Sequence, residues 1–421
     1  MTQRWKLPVG ATLAVHLCWD AGREVRVGRL GMRDRRVLFE FDSEFLRSGL
    51  EISPFKLRRG PGVIEGREPI FENLPGVFND SLPDGWGRLL LDREVRRQGV
   101  PPASLTPLDR LAHIGRDGIG ALVYQPELGP NHRQETVELD ELAQASRAVL
   151  EGSSEELLEK LRRLGGSPQG DRPKALVQIH EPTGQLTDAL HDRGPDWRHF
   201  IVKFAAQADV SDVGPLELAW SRMAAAAGVR VPESRLLAST IGPGYFAAAR
   251  FDRQGSARLH VITASGLLHA DHRVPSLDYV DLAKVAVRLT GDHREGEMLF
   301  RLMVFNVFAH NRDDHAKQFS FTLDSAGTWR LAPAYDLTFS GGMAGEHTTA
   351  IAGNGRDPRA ADMLKVADAA GLKRTRALEI LAEVREVTGR WRAFCEHAGV
   401  SGQTMRWMEH EAQLGDGQGE M

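Results

Sequence analysis

The chain has 421 residues, 42% of them hydrophobic and 26% charged, with a formal net charge of −4. That length suits two or three cores at about 100–200 residues per domain. The charge gives no global pull toward nucleic acid or an anionic membrane and leaves only a local basic face open. Cys18 and Cys395 lie far apart and form no metal spacing, so a reducing cytoplasm is the expected setting. Residues 1–10 carry no apolar run and no stretch reaches the ~18 apolar residues of a membrane span, so neither export nor anchoring is expected.

In chain order, the first third reads as an α+β unit. Residues 13–19, 24–28 and 36–41 have the alternation of three short strands in a meander. From Pro75 the pattern changes to glycine-rich loops and helices, with helices predicted over 88–98 and 107–114. Gly115, Gly118 and Gly120 follow and read as tight turns; a dinucleotide site would need a strand leading into a helix, an order absent here. Residues 126–139, with Pro126 and Pro130, read as a linker.

A helix over 154–164 then gives way to the small-residue loop 165–174 and a strand over 175–179. Such a loop can aim backbone N–H groups at a phosphate, with Arg172 and Lys174 supplying charge, although a plain solvent loop explains the composition as well. Ser167 offers an exposed hydroxyl there for phosphorylation. The strand over 199–204 sets Lys203 among apolar residues, where a buried ammonium needs an anionic partner. Glu217 lies in the first turn of a helix over 214–228. A strand lysine followed by a helix glutamate imitates the ion pair that orients the nucleotide-binding lysine of protein kinases, although any helix favours an acid in its first turn. Strands over 234–238 and 245–251 lead to a hinge, where the backbone of Ala249, Arg250 and Phe251 could meet an adenine edge. Beyond it, helical spacing recurs over 278–290, 295–310, 360–370 and 375–397, and 414–421 reads as a disordered tail.

The richest stretch is His-Asn-Arg-Asp-Asp-His-Ala-Lys-Gln at 310–318, followed by Ala-Pro-Ala-Tyr-Asp at 332–336. It puts Asp313 in a loop after a helix, the amide of Gln318 soon after, and a second carboxylate, Asp336, just past a predicted hairpin. Antiparallel pairing of 319–323 with 328–331 would bring Gln318 opposite Asp336. Phosphoryl transfer needs that order of parts: a carboxylate to accept a hydroxyl proton, then an amide and a carboxylate to hold Mg²⁺. Any one of these residues alone serves equally well as a cap or turn former.

With the runs at 79–85, 117–121, 166–174, 201–204 and 250–253, these residues make the chain resemble the HipA-type serine/threonine kinases over essentially its whole length. That family comprises the toxin halves of bacterial type II toxin–antitoxin pairs. The resemblance implies an α+β, two-lobed protein-kinase-like fold with a small β-rich N-terminal subdomain and a mostly helical C-terminal lobe. The expected division is 1–125 for the subdomain, 126–139 for the linker, 140–252 for a nucleotide-gripping lobe, 253–413 for the helical catalytic lobe and 414–421 for the tail.

The same resemblance implies ATP and Mg²⁺ as cofactors. Asp313 would be the catalytic base, Gln318 and Asp336 the metal ligands, and Lys203 the lysine on the nucleotide phosphates. Gln169, Gly170, Asp171, Arg172, Pro173 and Lys174 would form the phosphate loop, and Ala249, Arg250 and Phe251 the adenine contact. His315, Lys317 and Tyr335 would line the same pocket. Ser167 would be the loop serine that phosphorylates itself and switches the kinase off. A small HipB-like helix-turn-helix antitoxin encoded nearby would bring any DNA contact, and an aminoacyl-tRNA synthetase is the protein substrate the family suggests. Gln318 departs from the family's usual asparagine by one methylene, which matters for an ion that demands ~2.0–2.1 Å octahedral distances. A weakly active pseudokinase working through its antitoxin is therefore one alternative, and a small-molecule kinase is another.

Overall fold

The structure, a computed structural model, describes residues 5–129, 137–152, 158–165, 170–189, 193–206, 209–342 and 344–412. Ser167, Gln169, part of the expected linker and the expected tail lie outside the described residues.

The alternation near the start folds as β1 (Leu13–Asp20), β2 (Arg23–Arg33) and β3 (Arg36–Phe41), paired antiparallel. Leu13, Val15 and Leu17 are buried at every second position of β1, the period a one-sided sheet imposes. After α1 (Ser43–Ser48) comes β4 (Val63–Glu65), and after three helices β5 (Leu122–Gln125) returns beside β1, so the strand order is β4-β3-β2-β1-β5. Those helices are α2 (Gly76–Asn79), α3 (Gly85–Arg97) and α4 (Pro107–Ile114). Thr106 and Asp109 cap α4 reciprocally, with Pro107 at its first position. Helix α3 starts earlier than its pattern predicts. Its Trp86 N–H, an orphan donor in the first turn, is taken by the Gly170 carbonyl at 3.1 Å, a tertiary partner that local periodicity does not reveal.

Two helices, α5 (Leu139–Glu151) and α6 (Leu158–Gly165), precede a second sheet. It contains β6 (Lys174–His180), β7 (Leu186–Asp188), β8 (Trp197–Lys203), β9 (Ser234–Leu237) and β10 (Tyr245–Ala249) in the order β7-β6-β8-β10-β9. Helix α7 (Val213–Ala226) connects β8 to β9. Trp86 and Leu90 of α3 pack into the core beneath this sheet beside Val177, Phe200 and Val202.

The rest of the chain is mostly helical. A hairpin of β11 (Arg253–Gln254) and β12 (Ala257–Arg258) leads to β13 (His260–Thr263), α8 (Ala264–Leu268), β14 (Leu277–Asp278), α9 (Tyr279–Thr290) and α10 (His293–Phe308). Then follow β15 (Ser320–Leu323), β16 (Trp329–Leu331), β17 (Thr349–Ala350) and α11 (Ala360–Ala369). The helix predicted over 375–397 is two helices, α12 (Arg374–Thr388) and α13 (Trp391–Ala398). Gly389 and Arg390 break it: the Thr388 hydroxyl bonds back to the Val384 carbonyl at 2.9 Å, and the Arg390 N–H closes a tight turn on Val387 at 3.0 Å. The bend lets α13 pack against α7 before α14 (Gly402–Ala412) ends the described chain. The architecture is the expected α+β, two-lobed one, and one core joins Phe39 of the first sheet to Trp220, Phe300 and Ile380 of the helical part.

Candidate active site

Helix α10 delivers two adjacent carboxylates that part company. Asp314 is fully buried and accepts from Tyr279 Oη at 2.8 Å, His347 Nδ1 at 2.9 Å, and the Thr348 and Thr349 N–H groups at 2.8 and 3.2 Å. Asn306 donates to Tyr279 Oη at 2.9 Å and extends the network into α10. Asp314 therefore fixes the loop, and Asp313 is turned to the open side. The surroundings of Asp313 push its carboxyl above the usual range, through burial first and then through the Asp336 charge, against the pull of His315 and Arg172.

The hairpin sets the next pair. β15 and β16 pair with Phe321 opposite Leu331, and the Ala332 N–H donates to the Ser320 carbonyl at 2.8 Å. The strand ends thereby meet, and Gln318 Nε2 donates to Asp336 Oδ2 at 3.1 Å. Gln318 Oε1 is buried with no hydrogen-bond partner, an acceptor with capacity to spare beside a carboxylate. Asp336 adopts a φ of +59°, a left-handed conformation that a side chain rarely takes without tertiary support.

Lys203, at the end of β8, bonds Glu217 Oε2 of α7 at 2.5 Å and also Asp336 Oδ1. Burial opposes the Lys203 charge, yet the two carboxylates outweigh it and hold the ammonium above its ordinary range. Burial likewise opposes the Asp336 charge, and Lys203 with Lys174 outweighs it, leaving Asp336 well below the carboxylate range. Burial pushes Glu217 up, with Lys203 pulling the other way. Lys174 pairs opposite Lys203 across β6 and β8. Burial and that neighbouring ammonium lower Lys174.

The described end of the predicted phosphate loop lies against these groups. Arg172 reaches Asp209 at 2.9 Å and Glu217 at 3.7 Å. The Gly170 N–H donates to Asp84 Oδ1 at 2.5 Å, and Lys317 Nζ donates to Asp84 Oδ2 at 2.5 Å. Asp84 comes from the first third of the chain and was not expected here. Nor was Asp80, which accepts from the Thr263 N–H at 2.7 Å and the Thr263 hydroxyl at 2.9 Å. Both belong to the Asn79-to-Gly85 run, so the motif was visible but its destination was not. His272 also lines the cleft, and no sequence signal singles it out.

Asp80, Asp84, Arg172, Lys174, Lys203, Asp313, Lys317, Gln318 and Asp336 line one cleft of about 420 Å³, within the range of small-molecule sites. Ile201, Phe246, Ala248 and Phe251 supply apolar wall, and the Phe251 ring stacks on Tyr335 with centroids 5.8 Å apart. Tyr335 Oη bonds the Lys317 carbonyl at 2.5 Å. At the hinge, the Ala249 N–H is engaged by the Glu233 carbonyl and the Arg250 N–H by the His199 carbonyl, both at 2.8 Å. The Arg250 guanidinium is buried on Asp252, with bonds of 2.9 and 2.7 Å. Two of the three hinge donors are thus occupied, and the Arg250 side chain braces the hinge.

A two-lobed protein whose cleft gathers lysines and carboxylates at the lobe junction defines the class, and comparison with known proteins gives the family. The HipA N-terminal domain model matches residues 21–125, and the HipA-like C-terminal domain model matches residues 166–391. The chain belongs to the HipA family. A solved chain from the Shewanella oneidensis MR-1 complex of toxin–antitoxin system HipA, HipB and operator DNA is similar in fold, with a TM-score of 0.68 at 17% identity. The match covers 96% of this chain and 95% of that one. The Helicobacter pylori proinflammatory kinase CtkA gives a TM-score of 0.31 at 10% identity, covering 52% of this chain and 90% of that one. So low a score carries nothing over to this chain.

Proposed function

We propose that this chain is an ATP- and Mg²⁺-dependent serine/threonine protein kinase, a HipA-like toxin. The observation that carries the reading is Lys203 held between Glu217 and Asp336, with Gln318 on the far oxygen of Asp336 and Asp313 across the cleft. Asp313 would orient a serine or threonine hydroxyl and take its proton as that oxygen attacks the γ-phosphorus and ADP leaves. A raised carboxyl is a better base near neutral pH than an ordinary aspartate, provided it stays ionised. Lys203, Lys174 and Arg172 would offset phosphate charge, and Ile201, Phe246 and Ala248 would flank the base.

Asp336 and Gln318 fit a divalent cation. The carboxylate stays ionised, and the orphan Oε1 of Gln318 supplies the second oxygen once its amide faces the ion. Among the described residues no three His, Cys, Asp or Glu side chains gather as a closed metal cage, and an ion that keeps waters and phosphate oxygens needs none. When bound, the ion would neutralise phosphate charge. Lys203 holds Oδ1 of the Asp336 carboxylate.

By family, Ser167 is the autophosphorylation site and a HipB-like helix-turn-helix antitoxin is the partner through which DNA is met. The test is incubation of the purified chain with Mg²⁺ and radiolabelled ATP, alone and with cell lysate. The expected results are label on Ser167, a discrete labelled protein band, and loss of both in Asp313→Asn. Label confined to small metabolites would favour a small-molecule kinase, and no label a pseudokinase. Co-purification with the product of the neighbouring gene checks the antitoxin.

A further inference from the structure

On the other side of the hinge lies a second cavity of about 60 Å³, room for one tetrahedral oxyanion and far below the ~300 Å³ of a small-molecule site. Its wall carries Arg116, Arg250, Arg253 and Arg258, with His199. These residues come from the loop after α4, the hinge, the β11–β12 hairpin and β8, so the cavity sits where three parts of the chain meet.

The carboxylates nearby do not satisfy all four guanidiniums. Asp252 serves Arg250 at 2.7 Å and Arg253 at 2.6 Å, and its Oδ2 also accepts the Gly120 N–H at 2.7 Å. Arg116 is bound to Glu127 through Nε at 2.9 Å and lies 3.9 Å from Glu24. Arg258 donates to the Arg116 carbonyl at 2.9 Å and has no carboxylate within the 4.0 Å of an ion pair among the described residues. Asp117 shares the wall, and it and Asp252 draw on the Arg258 charge without forming an ion pair with it among the described residues. Burial, and then the neighbouring guanidiniums, make these charges costly: Arg253 is held well below its ordinary range and Arg258 is lowered too. His199 adds no charge, since burial and then Arg250 hold it at about 3.

We infer that this cavity binds a phosphate-type oxyanion, which Arg258 and Arg116 grip with charge-assisted hydrogen bonds and which ties the β11–β12 hairpin to β8 and to the loop after α4. The cavity is separate from the proposed nucleotide cleft, although Arg250 stands in the wall of both.

The test is thermal unfolding of the full chain titrated with inorganic phosphate at constant ionic strength, with sulfate and O-phosphoserine as parallel arms and chloride as the control for screening. The expected result is a saturable rise in unfolding temperature with phosphate, absent with chloride. Ser256 is exposed at the rim of the cavity, so Ser256→Glu sets a carboxylate there without disturbing packing and should abolish the rise. Arg258→Gln should abolish it as well. Arg172→Ala, in the nucleotide cleft, should leave it intact. A larger shift with O-phosphoserine than with phosphate assigns the site to a phosphate carried on another molecule, and the reverse assigns it to the free anion. The inference is overturned if no response exceeds that of chloride, if the response survives Ser256→Glu or Arg258→Gln, or if it is lost in Arg172→Ala.

Discussion

Asp314 lies under four donors and Asp313 faces the cleft, although they are neighbours in the chain. Asp313→Asn should therefore lower labelling by about 10²–10⁴-fold and leave the urea midpoint unchanged. Asp314→Ala should lower stability by ~3 kcal/mol or more in the same urea titration, because it strands buried donors. Asp80 titrates in the opposite sense to a salt-bridged carboxylate. Burial raises its carboxyl to about 7 from the ordinary 3.8, with Lys317 and Thr263 opposing. Between those two values the folded state holds a proton that the unfolded chain has released, so this group's contribution to stability falls as pH rises and levels off above about 7. Asp80→Asn, which can still accept the Thr263 N–H, should remove that decline. The check is the difference in unfolding free energy between wild type and variant across this range. It should change by a few kcal/mol, with the variant gaining ground as pH rises.

At the scale of elements, the junction between α2 and α8 depends on two glycines. A Cβ on Gly76 would lie 2.2 Å from the Gly266 carbonyl oxygen, and one on Gly266 would lie 2.3 Å from an Asp80 oxygen. Backbone cannot yield as a flexible side chain can, so Gly76→Ala, whose Cβ would meet the Gly266 carbonyl, should destabilise the chain by ~1–3 kcal/mol in denaturant titration. The β15–β16 hairpin is the element best read from sequence: alternation and turn chemistry gave both its strands and its consequence, Gln318 beside Asp336. Helix α12 shows the limit of periodicity. The apolar stripe continues through Gly389, but the helix ends there, where the Thr388 hydroxyl bonds back to the Val384 carbonyl and the Arg390 N–H turns back on Val387.

At the scale of the whole molecule, Asp84 links the parts. Its two oxygens hold Gly170 of the loop and Lys317 of the segment after α10, so the first third of the chain helps close the cleft. Asp84→Ala should leave the chain folded, as judged by circular dichroism, and reduce phosphoryl transfer by about 10–100-fold through loss of loop position. Arg250 has a related role at the hinge, where Asp252 and the Gly118 carbonyl hold its guanidinium. Among the described residues no helix is long and apolar enough to cross a membrane.

Local order was enough to show the strands near the start, the helices of the second half and the residue types of the cleft, because period, turn chemistry and the spacing of Asp313, Gln318 and Asp336 are properties of neighbouring residues. Folding alone settled which of two adjacent aspartates is buried, that Asp80 and Asp84 reach the cleft, and that the hinge arginine is occupied. Those outcomes depend on polar and charged groups finding partners well beyond their neighbours in the chain, 33–35 residues away for Asp314 and more than a hundred for Asp80, Asp84 and the Gly118 carbonyl on Arg250, where the cost of burying an unpaired charge selects the contact and sequence spacing carries no record of it.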